Sequence, residues 1–333
     1  MENFQENNQQ SQKGNNSNKW VKLLVLFFGL SLISSVFIIM DKQYCAVSDT
    51  MIDGSPAIFK TTKNTIGWVK VRGVIMEDGG SGWSSSNSAS ALATRIKKMG
   101  ENKDIKAIVI DIDSPGGTVA SVQDIYNAIM SVRKEHEKPV IALFRDVAAS
   151  GGYYIAMACD KIIAQPGTIT GSIGVIMQTT NMQELFAKIG VKIQPIKSGK
   201  YKDIGSPYRE MTDEEKQLIQ AMIDDSYQQF YQVVKTNRQL TDKVLKNYAD
   251  GRVFTGRQAY NMKMVDYLGG EEKVKTIAEE LTGLDNLEIG HQRPSNFKDL
   301  FLMLEYAKFN GKNSITKSIE KITTPKVLYL WTY

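Results

Sequence analysis

The nine residues IKAIVIDID beginning at Ile105 are apolar on both alternating faces. Strand side chains alternate with a period of two, so this pattern requires a sheet covered on both sides, the condition of a mainly parallel α/β sheet. The run ends in Ser114-Pro115-Gly116-Gly117, and a helical pattern starts near Thr118. The same order repeats: a strand PVIALF from Pro139 with a helix from about Ala149, a strand KIIAQP from Lys161 with a helix from about Asn181, and a strand VKIQPIK from Val191. Such alternation predicts βαβ units. Upstream, Ile66–Met76 reads as a further strand, and the Gly/Ser-rich stretch from Asp78 as a flexible loop long enough to act as a lid. Ser90 is expected to cap the helix after it, with Leu92, Ile96 and Met99 on one face. Thr212-Asp-Glu-Glu forms a capping box opening a long helix, in which Ile219, Met222, Ile223, Phe230 and Val234 keep the spacing of core packing.

Ahead of this core, Leu23–Met40 is an uncharged apolar run of 18 residues. At about 1.5 Å per residue it spans roughly 27 Å of hydrocarbon. No small-x-small cleavage site follows Met40, so an uncleaved anchor is expected rather than a removed signal peptide. Lys13, Lys19 and Lys22 precede the run while Asp41 and Lys42 cancel beyond it, which leaves the N-terminus cytoplasmic and the core outside. The expected partition is a cytoplasmic segment 1–22, an anchor 23–40, in contact with membrane lipid, a stalk 41–65, a core domain 66–290, and a C-terminal helix with an apolar tail 291–333. The tail PKVLYLWTY is costly to leave in water, so it should dock on a neighbouring copy or in a peptide groove.

With 41 Lys and Arg against 36 Asp and Glu, the net charge of +5 does not suggest a nucleic-acid partner. Two cysteines, Cys45 and Cys159, and two histidines, His136 and His291, cannot assemble a Cys/His metal cluster. Both histidines lie in segments typical of solvated surface.

Two turns follow an apolar strand and precede a helix: Asp113–Gly117 and Ala148–Tyr154. Neither has P-loop spacing, and no GxGxxG follows a strand. A developing oxyanion is a better guest than a phosphate. Ser150 is presented at a helix start with Gly151 after it, and the Gly116-Gly117 backbone is unobstructed by side chains. The plainer reading makes Ser150 a helix cap. A serine nucleophile needs a base, and a lysine whose pKa is depressed from about 10.4 can serve. Lys197, Lys200 and Lys202 cluster in KSGKYKDIGSP, and composition does not choose among them.

The ordered series DSPGG at Asp113, ASGGYYIA at Ala149, TGSIGV at Thr170, SGKYKDIGSPYREMT at Ser198 and DGRVFTGRQA at Asp250 resembles the signal peptide peptidase A family of membrane-anchored bacterial Ser-Lys proteases. The likeness runs from about Ile66 to Gly270. It implies an α/β fold of the ClpP/crotonase type with repeated β-β-α units, preceded by a single N-terminal transmembrane helix. It further implies a homo-oligomeric dome on the membrane, cleavage of hydrophobic signal-peptide remnants, and no metal or organic cofactor. By motif position the nucleophile is Ser150 and the general base Lys202, with Ser172 orienting the lysine and the N–H groups of Gly117 and Gly151 forming the oxyanion hole. Lys200, two residues before that lysine, departs from the pattern and adds positive charge expected to lower the base's pKa further. Two other readings are a crotonase-type acyl-CoA enzyme and a non-catalytic membrane scaffold.

Overall fold

The computed structural model describes residues 64–77, 88–290 and 327–331. The anchor, the stalk up to residue 63, the lid residues 78–87 and the helix within 291–326 are expectations that lie outside them. Among the described residues no helix is long and apolar enough to cross a membrane.

In chain order the elements are β1 (Thr65–Arg72), α1 (Ala89–Glu101), β2 (Ile105–Ser114), β3 (Gly116–Thr118), α2 (Val119–His136), β4 (Val140–Ala149), α3 (Gly151–Ala156), β5 (Lys161–Ala164), β6 (Ile169–Gly171), β7 (Ile176–Met177) and α4 (Gln183–Lys188). There follow α5 (Asp213–Arg238), α6 (Asp242–Leu245), β8 (Val253–Thr255), α7 (Gly256–Asn261), β9 (Tyr267–Leu268), α8 (Glu271–Thr282), β10 (Glu288–Ile289) and β11 (Val327–Leu330). The main sheet runs β10-β1-β2-β4-β5-β9, and every pair along that path is parallel. β6 continues beside the end of β4, with β8 antiparallel to it. This is a mixed α/β fold with a parallel-rich sheet.

β2 shows why its sequence is apolar throughout. Ile108, Ile110 and Ile112 enter a core with Leu92, Ile96 and Met99 of α1 and Ile125 and Ile129 of α2. Ala107 and Val109 enter a second core with Val274 and Ile277 of α8. The fully buried Asp111 takes the next place in the Ala107–Val109 series. Its carboxylate accepts hydrogen bonds from Trp68 Nε1 at 2.8 Å and from Arg145 Nε and Nη2 at 2.8 and 2.9 Å, and pairs with Arg72 at 2.9 Å. Burial opposes its charge, but the hydrogen bonds from Arg145 and Trp68 and the charge of Arg72 outweigh it and hold the carboxyl below its ordinary value.

Three local readings change. Ser88, with extended backbone at φ −64° and ψ 159°, caps α1 by accepting from the Ala91 amide, whereas Ser90 sits in the first turn and binds Glu77. On α5, Phe230 and Val234 are buried as core residues but Met222 is exposed, facing away from the described core. The segment from Val191 forms no strand. Its apolar side chains, Val191, Ile193 and the fully exposed Ile196, face solvent. The alternating pattern that suggested a strand is real, but the described residues supply no sheet edge to receive it.

Asp111→Ala should destabilise the protein by about 2–4 kcal/mol, since it strands two cations and an indole N–H while both arginines keep partial contact with water. Urea titration monitored by Trp fluorescence measures it, and an unchanged midpoint would contradict this account.

Candidate active site

β4 and β6 pair in parallel through Ala149 and Gly171. The residue after each, Ser150 and Ser172, has positive φ, 51° and 52°. Left-handed backbone is costly for an L-serine and persists only where its flanks are fixed. Here the Ser150 amide donates to Gly171 O at 2.8 Å and its carbonyl receives the Tyr154 amide at 2.9 Å, while the Ser172 amide donates to Arg252 O at 2.8 Å. Two serines are thus delivered side by side at the C-terminal ends of neighbouring strands.

Ser150 occupies the position before α3, yet its hydroxyl makes no capping hydrogen bond. Among the described residues its Oγ is the one buried side-chain oxygen or nitrogen without a hydrogen-bond partner. A buried hydroxyl left unpaired costs about 1–3 kcal/mol. The plain capping role therefore does not account for this serine.

Facing it lies the other glycine turn. A Cβ on Gly117 would strike the carbonyl of Ile75, and one on Gly116, at φ 108°, would strike the carbonyl of Tyr329 and stand 2.7 Å from the Gly151 amide nitrogen. A Cβ on Gly151 would meet the same Tyr329 oxygen at 3.0 Å. These glycines are required because four backbone segments converge here.

The fourth segment is the apolar tail. β11 lies antiparallel between β3 and β7, with Tyr329 opposite Gly117 and Leu328 opposite both Thr118 and Ile176. The Trp331 amide donates to Pro115 O at 2.8 Å, and two residues back along the tail and two on from Pro115, Tyr329 and Gly117 stand in the same hydrogen-bonding phase. The Tyr329 side chain is completely buried. Its ring stacks on Tyr154 at 5.1 Å between centroids, lies 4.9 Å from Phe230, and its hydroxyl donates to Ser226 O at 2.8 Å. The tail expected to find a groove thus occupies one in its own chain.

The three lysines have different settings. Lys197 Nζ bonds Asp203 Oδ1 at 2.5 Å and Lys200 O at 3.1 Å. Lys200 is paired with Glu214, which also receives the Tyr201 hydroxyl, so the extra positive charge it was expected to lend is offset. Lys202 is exposed, and its ammonium makes no hydrogen bond or ion pair with a described residue. Hence Gly117, Ser150, Gly151 and Ser172 come together within this one chain, while no hydrogen bond links Ser150 to Lys202.

Sequence reasoning missed the Asp203–Arg209–Glu215 ion cluster beside Lys202, because bonds across an irregular loop leave no periodic trace. It also missed Tyr329 as a buried anchor. The only signal was a tyrosine set among apolar residues.

The model for peptidase family S49 matches residues 132–285. A putative protease slr0021 of Synechocystis sp. is 44% identical over 228 residues, covering 68% of this chain and 78% of the relative. A putative signal peptide peptidase SppA of Enterococcus faecium is 30% identical over 95% of this chain and 99% of its own length. A putative protease MJ0651 of Methanocaldococcus jannaschii is 33% identical, covering 68% of this chain and 73% of its own. With relatives matched across most of their length and the converging glycine turns on the family's motifs, this chain belongs to peptidase family S49, the signal peptide peptidase A family of proteases.

Proposed function

We propose that this chain is a serine endopeptidase of the ClpP/crotonase type that degrades signal-peptide remnants and similar hydrophobic peptides at the membrane surface. Residues 23–40 hold it in the bilayer as a single-pass anchor with the catalytic part outside the cell membrane. One observation carries the reading: the orphaned Ser150 hydroxyl stands in strained backbone where an extended peptide strand already crosses the Gly116–Gly151 cradle. That strand is gripped on both edges by main-chain pairing, as peptide substrates are read by sheet-edge grooves. A thioester has no such backbone to pair, which argues against the acyl-CoA reading.

In this mechanism Ser150 Oγ attacks the scissile carbonyl carbon and passes its proton to a neutral Lys202 Nζ. The amides of Gly117 and Gly151 hold the oxyanion that forms. Collapse breaks the C–N bond as Lys202 returns the proton to the leaving amine, and water, deprotonated by the same lysine, releases the acyl group. Ser172, one residue beyond the strand partner of Ala149, orients the lysine. No cofactor takes part.

Lys202 reaches Ser150 from a second copy in a homo-oligomeric ring. Three features support this: the Ser150 hydroxyl and the Lys202 ammonium, both without a partner among the described residues, and the apolar side chains of Leu185, Ile189, Val191, Ile193, Ile196 and Met222 that one copy leaves exposed just before and beyond the lysine loop. Water is a poor setting for so many large apolar side chains.

Ser150→Ala and Lys202→Ala should each lose more than about a thousandfold in kcat, in line with removal of either member of a dyad. Dissociating and reassembling the two inactive proteins together should restore turnover of a synthetic signal peptide, because some sites then pair an intact serine with an intact lysine. A folded Lys202→Ala with near-native rate would overturn the dyad, and a mixture without recovery would return the lysine to the same chain. Deleting the residues after Thr324 should raise kcat/KM for short apolar peptides severalfold by freeing the groove; equal rates would show that the tail does not compete. Protease added to intact spheroplasts should digest the core, and protection of the core would reverse the topology.

A further inference from the structure

The loop that carries Lys202 has no regular secondary structure beyond turns, yet it is held by charge on both sides of the lysine. Asp203, the next residue, has a largely buried carboxylate at which Arg209 forks, Nε to Oδ2 at 3.0 Å and Nη2 to Oδ1 at 2.7 Å. The same guanidinium bonds Glu215, Nη1 to Oε2 at 2.8 Å and Nη2 to Oε1 at 2.6 Å. Glu215 is itself buried and fixed to the start of α5, where its carboxylate accepts the Thr212 amide at 2.9 Å as one half of the capping box. On the other side, Lys197 ties Lys200 O to Asp203 Oδ1. The turn bearing Lys202 is therefore bolted through Arg209 to a 26-residue helix whose far half, at Ser226 and Phe230, lines the pocket of Tyr329.

We infer that Arg209 is a positioning residue for Lys202, fixing the lysine turn to the start of α5 so that the lysine is presented in one position to the serine of the adjoining copy. This rests on Lys202 being the general base. A lysine on a free loop would meet its serine in a small fraction of conformations, and displacement by about 1 Å can cost a hundredfold in rate. Arginine suits the task because its planar fork engages two carboxylates at once, which an ammonium cannot do. The clamp stays charged across any working pH. Arg209 first, then the Thr212 amide, hold Glu215 down to about 2, and Arg209, then Lys197, hold Asp203 well below the carboxylate range.

The test uses the full-length oligomer and follows kcat and KM separately for a signal peptide in Arg209→Met, Arg209→Lys and Asp203→Asn, with Lys202→Ala alongside. Arg209→Met and Asp203→Asn should lower kcat by ten- to a hundredfold while KM stays within twofold, and Arg209→Lys, which keeps the charge but engages one carboxylate, should recover part of the loss. If Arg209→Met does not assemble, Asp203→Asn and Arg209→Lys decide. Native kcat in assembled variants beside an inactive Lys202→Ala would overturn the positioning role and leave the dyad standing. A loss confined to KM would assign the cluster to substrate binding and also overturn it. An active Lys202→Ala would remove the base and the inference with it.

Discussion

The pairing of Ser114 with Ala148, where β4 sets three residues opposite the single β2 residue between Ile112 and Ser114, is the constraint on which the candidate site depends. Without it the two glycine turns would leave their strands at different heights. With it, the Ser114 hydroxyl ties Gly73 O at 2.6 Å to the Gly116 amide at 3.1 Å, and α3 packs so close to β2 that a Cβ on Gly152 would lie 2.9 Å from Ser114 O. A β-bulge next to an active site re-aims the chain at small energetic cost. Here it lies on β4 and bends that strand ahead of Ser150, while Gly116 and Gly117 pass beside Gly151 and bond Ile75 and the tail on their two edges. The cores on either face of β2 hold this geometry still.

Much of this was legible because it is local. The two-sided burial of β2 followed from its composition, and the role of glycine at Gly116, Gly117 and Gly151 from the rule that backbones meet closely only where side chains are missing. Ser150 and Ser172 stood out through motif position, and their shared positive φ is the physical counterpart. Less legible were features whose partners lie far away in sequence or on no described element. The run from Val191 has a strand's alternation but no partner edge, so pattern alone called it a strand. Met222 follows the helical spacing of Phe230 and Val234, yet only the latter two meet a core. The tail could be recognised as apolar, but its placement between β3 and β7 is a matter of hydrogen-bonding register across more than a hundred residues.

Charge carried a similar lesson. Counting lysines near the presumed base treated each as an isolated cation, whereas Lys197 and Lys200 are both committed to carboxylates. What distinguishes Lys202 is the absence of a partner among the described residues, a property no composition reveals. The acid residues that take up its neighbours, Asp203 within the same motif and Glu214 two residues beyond it, could be read only once the loop's folding was known.

The position of β11 has a kinetic consequence. A tethered strand does not compete with peptide at its bulk concentration. It competes at an effective concentration set by the length of its connection, 36 residues between Gly290 and Val327. Peptides dilute in the aqueous phase would seldom displace it, whereas peptides crowded into the two dimensions of a bilayer could match it. Under the proposed function, the tail is then a concentration filter, discriminating by where a peptide resides as much as by its sequence, so that folded or secreted proteins passing in solution would be spared without any contact that recognises them.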